Sequence, residues 1–376
     1  MDNQTNNLNN TSRHKGTQND AEPIEINPQF SDLEQPETFL NHVKDIQNIS
    51  ESEKKNKGLL KIKTANEWVS EAKATPIPEM LFSEFWHENE ICILFADSNL
   101  GKSILAVQIA DSISKGKQIP GFKLEAQKQP VLYYDFELSP KQFESRCSVK
   151  SKSQKVFENH YSFDDNFKRI EINPDFELSK GIDFEKLLIQ SIEQSIIETN
   201  AKVLIIDNIS YLKTEMEQSK NALPLIQHLK SLKNKYGLSI LALAHTPKRD
   251  LTRPISQNDL QGSKAIFNFI DSCFAIGQST TNKDIRYIKQ IKEREIGKIY
   301  DSDNVIVCRL DKPHNLIGFE FIGFGAEWEH LRQVTETDRG IMIEKVKDLS
   351  EKGEKQRAIA EELGIAVGTV NKYLKM

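Results

Sequence analysis

Residues 91–95 form an unbroken apolar run, Ile-Cys-Ile-Leu-Phe, which stops abruptly at the polar segment 96–103, Ala-Asp-Ser-Asn-Leu-Gly-Lys-Ser. Leu105 and Ile109 then recur at helical spacing, so the pattern predicts strand, loop and helix in that order. The same alternation continues downstream. Residues 131–136 predict a second buried strand ending in Glu137, and Pro140 lies where a helix opens. Residues 150–181 are polar and irregular, with a short strand expected at 170–172. A helical pattern at 184–199 leads to a third strand at 203–206, ending in Asp207. Another helix at 223–236 stops at Gly237, and a fourth strand at 239–244 ends in His245 and Thr246. A helix at 263–271 precedes a fifth strand at 273–276. Residues 286–291 and 305–310 then alternate in strand fashion around a turn, and 318–324 add an edge strand.

The two ends of the chain read differently. Residues 1–57 are rich in Asn, Gln, Ser, Glu and Lys, too polar to offset their chain entropy by burial, so disorder is expected, with at most a short amphipathic helix at 39–46. An amphipathic piece at 59–74 is closed by Pro76 and Pro78. At the other end, 329–340 reads as a linker and 341–349, 356–363 and 367–374 as three short amphipathic helices, with Gly364 as a turn. Ala360, Gly364, Val370 and Tyr373 suit a helix-turn-helix: small where helices cross, apolar toward the core. The expected organisation is therefore a disordered segment 1–57, an α/β core 58–328, a linker 329–340 and a small all-α domain 341–376.

Composition narrows this picture. A net charge of -5 argues against a globally basic nucleic-acid coat, although local basic loops remain compatible with it. Cys92, Cys147, Cys273 and Cys308 lack metal-ligand spacing, which favours reduced, buried thiols. No stretch approaches a membrane span and the N-terminus carries no apolar signal core, so a cytoplasmic protein without a membrane partner is expected.

The strand ends carry the chemistry. Backbone N–H groups along Asp97, Ser98, Asn99, Leu100, Gly101, Lys102, Ser103 and Ile104 can wrap a polyphosphate at a helix N-terminus. Lys102 would reach the β- and γ-phosphates of ATP, and the Ser103 hydroxyl would join the shell of a Mg²⁺ ion. Ala96 stands where the first glycine of such a loop usually falls, a place that needs only negative φ. Asp207, at a strand tip about a hundred residues on, would hold the same metal, and Glu137 would orient and polarise the attacking water. His245 can contact the γ-phosphate and report its loss to the loop 247–262, where Lys248, Arg249 and Arg253 can grip a nucleic-acid backbone. Lys292 and Arg294, two apart, can act on a neighbouring subunit's γ-phosphate as an arginine finger does. In the tail, Thr369, Asn371, Lys372 and Lys375 fall on or near the groove-facing side of the last helix, for DNA contact. Plainer roles stay open: Glu137 as a helix cap, His245 as a solvent-facing strand end, Lys292 and Arg294 as surface charge, and the tail as a protein-docking module.

Taken together, the segment 96–103, Glu137, the 203–208 strand end, His245 and the 292–294 pair resemble the RecA-like ATPases, most of all the hexameric replicative helicases of the RepA and DnaB type, over about residues 75–325. The resemblance implies a parallel sheet of order 5-1-4-3-2 extended by antiparallel edge strands, with nucleotide at subunit interfaces of a homo-oligomeric, hexameric ring and single-stranded DNA threaded through it. It also implies that Lys102 and Ser103 bind phosphate and Mg²⁺, that Asp207 holds the metal shell, that Glu137 activates water, and that Lys292 and Arg294 match a Lys-x-Arg finger. Departures are Ala96, a histidine where many relatives use glutamine, the added C-terminal helix-turn-helix and the lack of a primase-binding helical domain ahead of the core. They bear on duplex unwinding more than on ATP hydrolysis, so an ATP-switched DNA-binding regulator and a protein-interaction ring without a DNA role stand as alternatives.

Overall fold

A computed structural model describes residues 60–177, 184–209, 223–247, 249–260, 263–294, 297–333 and 335–376. The expected disorder of 1–57 and the helix at 39–46 lie outside the described residues. The chain forms two compact units, 1–76 and 77–376. In the first, helix α1 (Ala65–Ala72) opens on a reciprocal capping box between Thr64 and Glu67, and Lys63 pairs with Glu71 at 2.5 Å. The cap explains why this helix is shorter than the amphipathic stretch 59–74.

The second unit is built on a nine-stranded sheet. In chain order its elements are the small pair β1 (Met80–Phe82) and β2 (Trp86–His87), then β3 (Ile91–Ala96), α2 (Lys102–Lys115), β4 (Val131–Asp135) and α3 (Pro140–Arg146). A short hairpin, β5 (Val149–Lys150) and β6 (Phe157–Glu158), precedes β7 (Phe167–Ile170), α4 (Phe184–Thr199), β8 (Val203–Asp207), α5 (Leu223–Tyr236) and β9 (Ser239–His245). There follow α6 (Ser263–Phe269), β10 (Ser272–Gln278), β11 (Ile285–Lys292), β12 (Val305–Asp311) and β13 (Gly318–Gly325).

The sheet order is β13-β12-β11-β10-β3-β9-β8-β4-β7. From β10 to β7 every pairing is parallel, while β10 to β13 pair antiparallel. Counted along the chain, β3, β4, β8, β9 and β10 stand in the order 5-1-4-3-2, the RecA-like arrangement. One strand differs from expectation. The short strand falls at Phe167–Ile170, not 170–172, and is a sixth parallel strand on the edge of β4. The β5–β6 hairpin, at the start of the stretch read as irregular, is likewise new.

Because helices cover both faces, the central strands carry near-continuous apolar runs, with polar residues at their ends. β3 turns Cys92, Leu94 and Ala96 toward Leu105 and Ile109 of α2, and Ile91, Ile93 and Phe95 toward Leu229 of α5 and Ile266 of α6. Each such side chain withdrawn from water contributes about 1.5–3 kcal/mol. All four cysteines are buried free thiols, as their scattered spacing implied.

The C-terminal helices are α7 (Glu336–Glu351), α8 (Gln356–Leu363) and α9 (Val367–Leu374), packed around Val346, Ile359, Ala360 and Val370. The expected linker is largely structured: Glu327–His330 is a 3-10 turn, and α7 starts at Glu336, ahead of 341. Thr335 accepts from the Asp338 N–H while the Asp338 carboxylate accepts from Thr335 N, and that box sets the earlier start. Gly364 has φ of 61°, the left-handed value that lets α8 end and α9 turn back. No helix among the described residues is long and apolar enough to cross a membrane.

Candidate functional site

Parallel register brings the carboxyl ends of four strands to one edge. Ala96 aligns with His245, and Asp135 with Asp207. Open α/β sheets bind ligands along such an edge.

The loop after β3 is shaped for close approach. Ala96 still belongs to the strand, so its side chain costs nothing there. Asn99 and Gly101 take φ of 64° and 97°, and a Cβ on Gly101 would come within 3.0 Å of the Phe319 ring. Arg286 Nε donates to Leu100 O at 3.2 Å and backs the loop from β11. Asp97 is half-buried, while Ser98 and Asn99 are exposed. Burial raises the Asp97 pKa, and the Arg249 guanidinium opposes that shift. The Ile104 side chain packs on the core, which leaves only its backbone to face a phosphate.

Lys102 is buried and folds back on its own loop, donating to Ala96 O at 3.0 Å and Asp97 O at 3.3 Å, with His245 Nδ1 at 3.5 Å. Burial lowers its pKa, against the pull of the Asp207, Glu137 and Asp97 carboxylates. The ammonium is therefore held by weak neutral acceptors that phosphate oxygens would outcompete. Asp207 lies at the bottom of the site, accepting from Tyr133 Oη at 2.7 Å and from the Ser103 hydroxyl. Burial pushes its pKa up to about 6, the two hydrogen bonds pull it down, and the nearby Glu137 and Asp135 charges add to the rise. Among the described residues no group of three or more His, Cys, Asp or Glu could hold a metal alone. The Ser103–Asp207 pair instead fits a hard divalent ion that completes its shell with phosphate oxygens.

Glu137 lies just past β4. Ser139 caps α3, accepting from Gln142 N while the Gln142 side chain accepts from Ser139 N, so the capping role open to Glu137 is already filled. Its carboxylate oxygen Oε1 accepts from Asn208 Nδ2 and lies 3.3 Å from His245 Nε2; Asn208 Nδ2 lies 2.9 Å from the same His245 nitrogen. Beneath it, Asp135 Oδ1 accepts from Leu138 N at 2.9 Å and Glu137 N at 3.2 Å. Asp135 Oδ2 takes Arg169 Nε at 2.9 Å, and Arg169 Nη2 reaches Leu138 O at 2.7 Å. Sequence reading missed Asn208, Asp135, Arg169 and Tyr133. Asn208 directly follows Asp207, and Asp135 precedes Glu137 by two, so both had a local signal; Arg169 had none.

The structure thus gathers Lys102, Ser103, Glu137, Asp207 and His245 and leaves other candidates elsewhere. Strand β11 ends at Lys292, paired with Cys273 at the start of β10, which is the opposite end of the sheet from the phosphate loop. Lys292 Nζ is held by Phe267 O at 2.5 Å and Ile270 O at 2.8 Å, and Arg294 pairs with Asp271 at 2.9 Å. Lys292 and Arg294 therefore do not continue along one strand face, and both are engaged within their own chain. Lys248 lies outside the described residues. Arg249 donates to Arg253 O at 2.8 Å and hydrogen-bonds Tyr287, while Arg253 pairs with Asp250 and donates to Met342 Sδ at 3.4 Å. Arg253 thus turns to the C-terminal helices and Arg249 to β11, so neither stands on a free basic loop. On α9, Asn371 and Lys372 are exposed, as is Lys375 at its C-cap, whereas Thr369 is half-buried.

A RecA-like sheet with a phosphate loop, its lysine and a strand-borne acid beside the loop hydroxyl defines a P-loop ATPase. The AAA domain family matches residues 59–250, just over half of the chain, and the chain belongs to that family. No curated protein matches the sequence. Among solved structures the chain is similar to a KaiC-like protein from the hyperthermophilic archaeon Pyrococcus horikoshii. That match has 14% identity and a TM-score of 0.40, over 62% of this chain and 90% of the other.

Proposed function

We propose that this P-loop ATPase is a Mg²⁺-dependent enzyme that assembles as a ring, a hexamer by expectation, and acts on DNA as a helicase-like translocase serving replication or mobilisation of a mobile element. The observation that carries the hydrolytic part is the convergence of Lys102, Ser103, Glu137, Asp207 and His245 on one sheet edge. The ion, held by Ser103 and Asp207, would neutralise charge on the terminal phosphates. Lys102 leaves its loop carbonyls for phosphate oxygens and offsets their charge. Glu137 accepts a hydrogen bond from the attacking water and draws off its proton. His245 lies between Lys102 and Glu137, so movement at the γ-phosphate reaches strand β9 and the loop beyond it.

The DNA part is supported by the tail, where α8, Gly364 and α9 follow the helix-turn-helix pattern and expose Asn371, Lys372 and Lys375. A second reading, an ATP-switched DNA-binding regulator without translocation, draws on the clasp of Asn208 and His245 on Glu137 and on the internal pairing of Lys292 and Arg294. Steady-state ATP hydrolysis, with and without single-stranded DNA, in the wild type and in a truncation before Thr335, separates the two. Stimulation by single strands that survives truncation is the expected result; slow, unstimulated turnover would sink the translocase and favour the regulator.

A further inference from the structure

Between the loop that follows β9 and the C-terminal helices lies a cleft of about 690 Å³. One wall is formed by Arg249, Asp250 and Arg253, the other by Arg339 and Lys345 of α7, with Arg332 and Asp338 at the join. In a chain of net charge -5, this cleft gathers five cations against two carboxylates. Two of the cations are spent on those carboxylates: Arg332 grips Asp338 through both guanidinium nitrogens at 2.7 and 2.9 Å, and Arg253 pairs with Asp250 at 3.5 Å. Arg339 also pairs with Glu336 at 3.2 Å, on the solvent side of α7, and Arg249 is held by the neutral Arg253 O and Tyr287. The positive excess of the cleft therefore lies with Arg249 and Lys345 and, shared with Glu336, Arg339; Arg339 and Lys345 are exposed. The floor is apolar and aromatic, made by Ile341, Met342, Ile365 and Tyr373, and Ile341 is 47% exposed.

A cationic rim over an apolar, aromatic floor is the chemistry of single-stranded nucleic acid, whose phosphates meet the rim while unstacked bases lie against the floor. A duplex offers its bases only at groove edges and would leave that floor wet. We infer that a single-stranded segment of DNA seats in this cleft, with its phosphates on Arg249, Arg339 and Lys345 and its bases against Tyr373 and Met342. The inference rests on the DNA reading above and adds a site separate from the exposed face of α9. It also gives the nucleotide site a listener. The wall at 249–253 begins four residues after His245 in the chain, and Arg253 reaches Met342 and comes within 3.1 Å of the place a Gly364 side chain would occupy, so the chain that follows His245 supplies one wall of the strand's seat.

The test is fluorescence anisotropy of a labelled oligothymidylate, and of a labelled duplex, on the full-length protein. The wild type is compared with the double variant Arg339→Glu/Lys345→Glu and with Arg339→Lys. Both cleft positions are solvent-exposed, and an unchanged thermal midpoint confirms that the double variant folds. The expected result is single-strand affinity at least about tenfold weaker in the double variant, with the salt slope reduced by about 1.4 for two lost phosphate contacts. Arg339→Lys, which keeps the charge, should bind single strands as the wild type does. If the wild type binds no DNA at all, the DNA reading fails and the cleft site with it. If the wild type binds single strands and the double variant binds them equally well, or if it binds only duplex, the cleft assignment alone is overturned.

Discussion

Replacing Glu137 with glutamine is expected to lower ATP turnover by about a hundredfold or more while ATP still binds. Glutamine keeps the length of the side chain and an oxygen for Asn208 Nδ2, but it cannot take a proton from water. The turn beneath it stays fixed, because Asp135 and Arg169 hold the backbone at Leu138. A purely structural Glu137 would give no such split between binding and turnover, and Ser139 already fills the capping role. Lys102→Ala is expected to lose both properties, since the ammonium is the buried cation of the loop. Phosphate release and nucleotide titration on the two variants measure the effect; full turnover in Glu137→Gln would remove this residue from the reaction.

The largest stability effect is expected far from the nucleotide. Glu327 and Lys289 form an ion pair at 2.5 Å, with side chains 0% and 7% exposed. Glu327 also accepts from Ile255 N at 2.6 Å and Ser302 Oγ at 3.1 Å, and Lys289 donates to Ile255 O at 2.8 Å. Glu327→Ala strands a buried ammonium and an unpaired backbone N–H, which costs about 3–5 kcal/mol. The double replacement Lys289→Met/Glu327→Leu removes both charges and should recover much of that loss. Urea unfolding of the three proteins gives the comparison. A loss below about 1 kcal/mol in Glu327→Ala would mean that water reaches the pair and screens it.

The legible parts of this chain were those written in contiguous residues. Runs such as 203–206 are apolar at every position because both sheet faces are covered, and the acid at the strand tip, Asp207, interrupts that run conspicuously. The phosphate loop announces itself because strand, glycine, lysine, hydroxyl and helix are adjacent. What stayed hidden depends on distant partners. Strand β7 was blurred because Arg169 looks like a surface residue, and only its bond to Asp135, 34 positions earlier, explains a guanidinium at a sheet edge. Arg249 and Arg253 read as a basic loop free to grip nucleic acid because their partners are distant in sequence: Tyr287 for Arg249, and for Arg253 Met342, 89 residues further on. Lys292 looked free for a neighbour because nothing local signals that the carbonyls ending α6 surround its ammonium. Helix α7 was the exception, since the Thr335–Asp338 cap is a local signal that could have placed its start.

The most direct measurement is a crystal structure of Glu137→Gln grown with ATP and Mg²⁺. The triphosphate should lie along residues 97–104, with Lys102 Nζ drawn from the Ala96 and Asp97 carbonyls onto phosphate oxygens and the metal against Ser103 and Asp207. A nucleotide bound elsewhere, or one bound here with Lys102 still on its loop carbonyls, would contradict the account.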